Sequence, residues 1–353
     1  MKLSASLSER AARLSYALLF TLHLLVLASL LWAISAVAAR AQGEPSCGGR
    51  DLLASLAESD PARFAALKAE AAQVPNGQGV LWRIEKEGGK PSFLFGTMHL
   101  SDPRVLDLSP AVWSALDEAD TVAIETTDML DQKKIAAAMM SDPALTMFTD
   151  GTTLFSLVSP EDRKVLEDGL KRIGIPPFSV SKMKPWVLAT VIAIPPCERA
   201  RQASGARVLD LMVAEEAAKA EKPVVGLESA ADQIRAMTSL PMEYHLSGLI
   251  ESLRLGEGVE DVFETMIVMY EAGEMGMFGP GLKALFPGAL GDLNQHGFQE
   301  RIIDARNVTM AKGAVPLIEA GGAFIAVGAL HLPGEKGLVS LLREKGYAIA
   351  AVE

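Results

Sequence analysis

Two short segments near opposite ends of the chain share one pattern, and that pattern constrains the fold more than any other feature. Phe93-Leu94-Phe95-Gly96-Thr97-Met98-His99-Leu100 and Ile325-Ala326-Val327-Gly328-Ala329-Leu330-His331-Leu332 each run from an apolar strand into a glycine, two further residues, a histidine and a leucine. Proline follows in both, at Pro103 and Pro333. Gly96 and Gly328 would let the backbone turn or approach a ligand closely. Ligands of open α/β sheets bind beyond the carboxyl ends of the strands. Of five histidines in the chain, His99 and His331 hold this same position.

Two acids end strands in the same way. Glu125 follows Thr121-Val122-Ala123-Ile124, and Glu228 follows Val224-Val225-Gly226-Leu227. Two histidines and two carboxylates at four strand ends suit a divalent-metal site or an acid/base cluster. Either acid also suits a helix N-terminus. Arg306 reads as a partner of one of these acids or as an exposed helical charge, and Asn307 is similar. Thr97 reads as a turn residue or a site residue. Gln233 and Lys184 read as structural, and Trp186 as core. His245 and His296 fall on helices without evident partners. The methionines Met266, Met269, Met275 and Met277 read as adaptable packing. There is no H-E-x-x-H helix, no G-x-S-x-G elbow and no phosphate-binding glycine loop.

The surrounding elements alternate between strand and helix. A helix near 62–72 precedes two strand-like runs, 79–85 and 92–100, joined by the turn Glu87-Gly88-Gly89-Lys90, so they read as a hairpin. Ser109-Pro110 opens a helix that leads to a strand at 121–125, an order that favours parallel pairing by a crossover. Residues 130–220 are mostly helical. A Gly/Pro-rich stretch at 273–291 reads as a mobile cover. The fold class expected is α/β: a mixed central sheet, flanking helices and a largely helical middle insertion.

The N-terminus carries Lys2, Arg10 and Arg13, then an apolar run to about residue 39, then Ala39-Arg40-Ala41. Residues 1–41 therefore read as a cleaved export signal or a retained membrane anchor, and 42–353 as the folded domain. Both readings place the domain outside the cytoplasm, in the periplasm or facing it from the inner membrane. The membrane is a partner only through this segment, where it stays uncleaved. Two cysteines in an oxidising compartment point to one disulfide, Cys47 to Cys197; the alternative is two unrelated buried thiols. A net charge of −11 argues against nucleic acid, which needs a basic face. A peptide or small-molecule substrate is compatible with it.

The stretch 94–102, Leu-Phe-Gly-Thr-Met-His-Leu-Ser-Asp, resembles the first signature of the TraB/PrgY/GumN (Tiki-like) family. Residues 327–334 with Lys345-Gly346-Tyr347 resemble the last. Glu125, Lys184-Pro185-Trp186, Leu227-Glu228-Ser229 with Gln233, and Arg306-Asn307 fall between them in the family's order. The resemblance covers about residues 47–353. It implies a fold akin to erythromycin esterases and haem-binding ChaN-like proteins. It implies also a metal-dependent hydrolase, peptidase-like, in which His99, His331 and one of Glu125 and Glu228 hold a divalent ion such as Mn, Co or Zn. Glu125, Glu228 and Arg306 are the expected catalytic groups. The alternative is a non-enzymatic periplasmic protein of the same fold that binds haem or another ligand.

Overall fold

The computed structural model describes residues 47–131, 133–134, 142–286 and 297–352. Residues 1–41, expected above to be an export signal or a membrane anchor, His296 and positions 287–291 of the Gly/Pro-rich stretch lie outside the described residues.

After two N-terminal helices, α1 (Leu52–Ser59) and α2 (Pro61–Ala71), the hairpin expected from the glycine turn forms between β1 (Leu81–Glu85) and β2 (Ser92–Thr97). Helix α3 (Pro110–Glu118) starts where Ser109 caps the Val112 N–H and Pro110 supplies a preset φ in the first turn. It leads into β3 (Thr121–Ile124). The helical middle holds α4 (Pro160–Arg172), α5 (Pro185–Ile192), α6 (Pro196–Ala203) and α7 (Leu209–Lys219). Then come β4 (Val224–Gly226), α8 (Ala230–Thr238), α9 (Met242–Leu255), α10 (Val259–Glu271) and α11 (Phe278–Leu285). A π-helical turn (Gln299–Asp304) runs into α12 (Ala305–Ala320), followed by β5 (Ala323–Gly328), α13 (Leu338–Glu344) and β6 (Ala348–Ala351).

The six strands form one mixed sheet in the order β4-β3-β5-β2-β1-β6. Strands β4, β3, β5 and β2 are parallel; β1 and β6 complete the far edge with antiparallel pairs. The strand-helix-strand order at β2-α3-β3 predicts parallel strands, and they are parallel. They are not neighbours, however, because β5 enters from the end of the chain and lies between them. Burial explains this: every residue of β5 is buried, so it belongs at the centre of the sheet.

Alternate residues of the central strands feed two cores. Phe93, Phe95, Val122, Ile124, Phe324 and Ala326 pack on one face against α3, α7 and α10. Leu94, Ala123, Ile325 and Val327 pack on the other against α12 and α13. The middle helices α4, α5 and α9 share a third core of their own, around Leu166, Leu170, Leu188 and Leu249. No helix among the described residues is long and apolar enough to cross a membrane.

Cys47 and Cys197 are joined in a disulfide, with Cα atoms 5.4 Å apart and a sequence separation of 150. It fixes the start of the described chain to α6. That helix in turn carries Glu198 and Arg201, both buried. Glu198 accepts bonds from the N–H and hydroxyl of Ser101, at 2.7 and 2.8 Å, and Arg201 donates to Asp102 at 3.1 Å. The loop just after His99 is thus anchored to a disulfide-bonded helix. Removing a link across a loop this long is expected to cost about 2–5 kcal/mol of stability. A Cys47→Ser/Cys197→Ser variant should show that loss in urea unfolding. An unchanged unfolding free energy would contradict the structural weight given to this link.

Candidate active site

Because β2, β5, β3 and β4 run parallel, their carboxyl ends open on one edge of the sheet, and both histidine motifs and both acids end there. Thr97 pairs with Gly328 in the β2–β5 register, so the two glycine-histidine turns lie side by side. After Gly328 the chain makes a single 3₁₀ turn, Ala329–His331, which returns the His331 ring toward the sheet.

Three side chains converge over Gly328. A methyl group on that residue would stand 3.2 Å from Glu125 Oε1, 3.4 Å from His99 Nε2 and 3.5 Å from His331 Cδ2. Glycine at this position keeps the space between them open. His331 Nε2 lies 3.7 Å from Glu125 Oε1.

Each imidazole is oriented through its other nitrogen. His99 Nδ1 is 2.7 Å from Asp210 Oδ2, and Thr97 Oγ1 donates to Asp210 Oδ1 at 2.5 Å. His331 Nδ1 is 2.6 Å from Asn307 Oδ1, and Asn307 in turn donates to Lys336 O at 2.8 Å. Nε2 of His99 is left beside the space over Gly328, and Nε2 of His331 is left toward Glu125 Oε1. That is the arrangement by which outer partners orient metal-binding histidines.

Glu125 is nearly sealed from water, and its carboxylate is well supplied with donors. Oε1 accepts the Gly328 N–H at 2.8 Å; Oε2 accepts Arg306 Nη2 at 2.7 Å and Gln233 Nε2 at 3.1 Å. Glu228, with a side chain only 1% exposed, does not reach the histidines. It holds Arg306 through Nε and Nη2 and accepts Gln233 Nε2 at 2.9 Å. The reason is the strand order. Glu125 ends β3, the neighbour of β5, whereas Glu228 follows β4, one strand further out.

Of the remaining residues singled out in the sequence, Thr97, Gln233, Arg306 and Asn307 all join this cluster. Trp186 is buried and donates to Leu145 O at 2.9 Å, and Lys184 sits at the N-terminus of α5. His245 is buried on α9, edge-on to Tyr244. Sequence reasoning missed Asp210. Its signal was a charge inside the apolar run Val208-Leu209-Asp210-Leu211-Met212-Val213, a position that demands a buried partner. Tyr270, also missed, donates to Gly96 O at 2.8 Å and fixes the first motif's glycine.

These contacts set the charge states. Asp210 raises the His99 imidazole to about 9. Burial pushes His331 down to about 4, against the pull of Glu125. Burial opposes ionisation of Glu125, but the charges of His99 and Arg306 and the Gly328 N–H hold its carboxyl down at about 2. At neutral pH the metal-free site thus holds an ionised Glu125 and a protonated His99 beside a neutral His331.

The chain's relatives can now be set beside this geometry. The model of the TraB/PrgY/gumN family matches residues 80–351. The chain belongs to that family. Among relatives, it is 22% identical to "Metalloprotease TIKI1" of Danio rerio over 314 residues, covering 76% of this chain and 62% of that protein. It is 24% identical to "Uncharacterized protein YbaP" of Shigella flexneri over 263 residues, covering 74% of this chain and 90% of that protein. No solved structure matches at a significant level. The family match takes in both histidine motifs, Glu125, Glu228 and Arg306.

The protonation states give a signed prediction for the metal-free protein. His331 titrates at about 4 when folded against 6.5 unfolded, and Glu125 at about 2 against 4.5. In both cases the unfolded chain binds the proton more readily. Their stabilisation is therefore present above the unfolded values and is lost as pH falls, from 6.5 to 4 for His331 and from 4.5 to 2 for Glu125. His99 has the opposite sign: its contribution is full below 6.5 and is lost as pH rises through about 9. In EDTA, the wild type should lose about 2 kcal/mol more unfolding free energy between pH 7 and pH 5 than His331→Gln does. Equal losses in the two proteins would contradict the assignment of His331 as a buried neutral ring.

Proposed function

We propose that this chain is an exported metal-dependent hydrolase acting on peptide bonds, with His99, His331 and Glu125 as the groups that hold a divalent ion. The observation that carries the reading is their convergence over Gly328, with Asp210 and Asn307 each holding one imidazole through its Nδ1. Among the described residues no three acid, histidine or cysteine groups already stand in a closed ligand set. The donor chemistry nevertheless fits. His99 Nε2, Glu125 Oε1 and the edge of the His331 ring border a space that a single methyl group would fill, and two imidazoles with one carboxylate are a donor set that suits Mn, Co or Zn. The likeness to a protein named as a metalloprotease points the same way, although the chain spans 62% of that protein's length. The basic and apolar residues of 1–41 support export to the periplasm, as a cleaved or an anchored protein.

The chemistry that such an ion supplies when bound is Lewis acidity toward a carbonyl group. The protein's own part is orientation. Arg306 and Gln233 hold Glu125 Oε2, so its Oε1 faces the histidines. Glu228 holds Arg306 in place and takes no direct part. Arg306, whose Nη1 makes a long 3.4 Å bond to Ile302 O, lines the cavity. There it is placed to donate to the oxygen of a carbonyl under attack.

A haem-binding reading fits this site less well. Haem propionates need cations, and Arg306 is engaged by Glu125 and Glu228. A haem titration without a Soret shift is expected.

His99→Ala, His331→Ala and Glu125→Gln should each abolish peptide hydrolysis while the protein still melts cooperatively. Asp210→Asn and Asn307→Ala, which touch only the orienting bonds, should lower metal affinity or activity by about 10–100-fold. Steady-state kinetics on a quenched fluorescent peptide mixture, in Mn-loaded protein, would measure this. Folded ligand variants that keep full activity would remove the proposal.

A further inference from the structure

The space over the histidines continues into a cavity of about 410 Å³, within the range of small-ligand sites. Its floor is polar and is the site already described: Thr97, His99, Arg306 and His331. Its walls are apolar. Phe263 and Met266 stand three residues apart on α10 and so share one face of that helix. Phe298 comes from the segment entering the π-helical turn, and Leu330 from inside the second motif, one residue before His331. All four side chains are half-buried. Their inner sides pack against neighbouring cores, and an apolar group placed against their cavity sides would complete their burial.

The charge of the cavity narrows the occupant further. Among the described residues no Asp, Glu or Lys lines it. Arg306 is the guanidinium at its floor, and Glu125 and Glu228 already neutralise it. Apart from Arg306 and the two histidines, the described lining residues are uncharged. An acidic side chain finds no cation on the walls to pair with, since Arg306 is engaged by Glu125 and Glu228. A lysine or arginine side chain finds no acid on the walls.

We propose that this cavity is the specificity pocket of the hydrolase. It takes a bulky uncharged apolar side chain, such as Phe, Leu or Met, from a residue flanking the scissile bond within an internal peptide segment. The inference rests on the peptide-hydrolase reading above.

The test uses the full chain loaded with manganese and a mixed library of peptides from a digested proteome, with the new termini read by mass spectrometry. Cuts should concentrate beside Phe, Leu, Met and Ile. Met266→Lys should lower kcat/KM for a Phe-containing reporter peptide by tenfold or more, the scale on which an apolar pocket discriminates. The same variant should gain on a reporter carrying Glu at that position. Phe298→Ala, which enlarges the pocket, should shift the preference toward Trp, and it serves where Met266→Lys fails to melt cooperatively. Cuts with no apolar preference, or beside charged residues, would overturn the pocket assignment and leave the peptidase reading standing. Failure to cut any peptide would overturn both.

Discussion

The parallel register of β2 against β5 positions everything else at this site. It sets Thr97 opposite Gly328, so two histidine turns separated by most of the chain become neighbours on one sheet edge. The pairing is itself a consequence of composition. Both strands are buried on both faces, and only the centre of a helix-covered sheet accommodates them. Once they pair there, β3 can lie only on the open side of β5. Glu125 is thereby delivered to the space between the histidines.

A buried carboxylate needs compensation, and Glu125 receives it from three directions: the Gly328 N–H, Gln233 and Arg306. Arg306 would itself be costly to bury without Glu228. The result is a chain of mutual support from α8 and α12 through two acids to the motif glycine. It fixes the direction of one carboxylate oxygen. The histidines are fixed by analogous means from other elements, His99 by α7 and His331 by α12. Preorganised side chains of this kind are what a catalytic or metal-binding site requires.

The sequence made the hairpin, the buried strands, the paired histidines and the cysteine link legible, because each has a local signature: a glycine turn, an apolar run, a repeated motif, a residue count. It left the two glutamates equivalent, since both follow apolar strands in the same local way. Their difference arises from strand order, which sequence periodicity does not contain: β3 neighbours β5, and the three-residue β4 does not. Asp210 escaped for a related reason. It belongs to a helix far from His99 in the chain, and only the packing of α7 against the sheet brings it beneath the imidazole. The insertion of β5 between β2 and β3 likewise depends on a contact between distant segments.

Metal content measures the central claim most directly. Residues 42–353, purified without a polyhistidine tag and incubated with Mn, Co and Zn in turn, would be compared with the His99→Ala/His331→Ala variant by native and elemental mass spectrometry. The account predicts near-stoichiometric uptake of at least one of these ions by the wild type, and its loss in a double variant that still melts cooperatively. A wild type that takes up none of them, or a folded double variant that binds equally well, would contradict it.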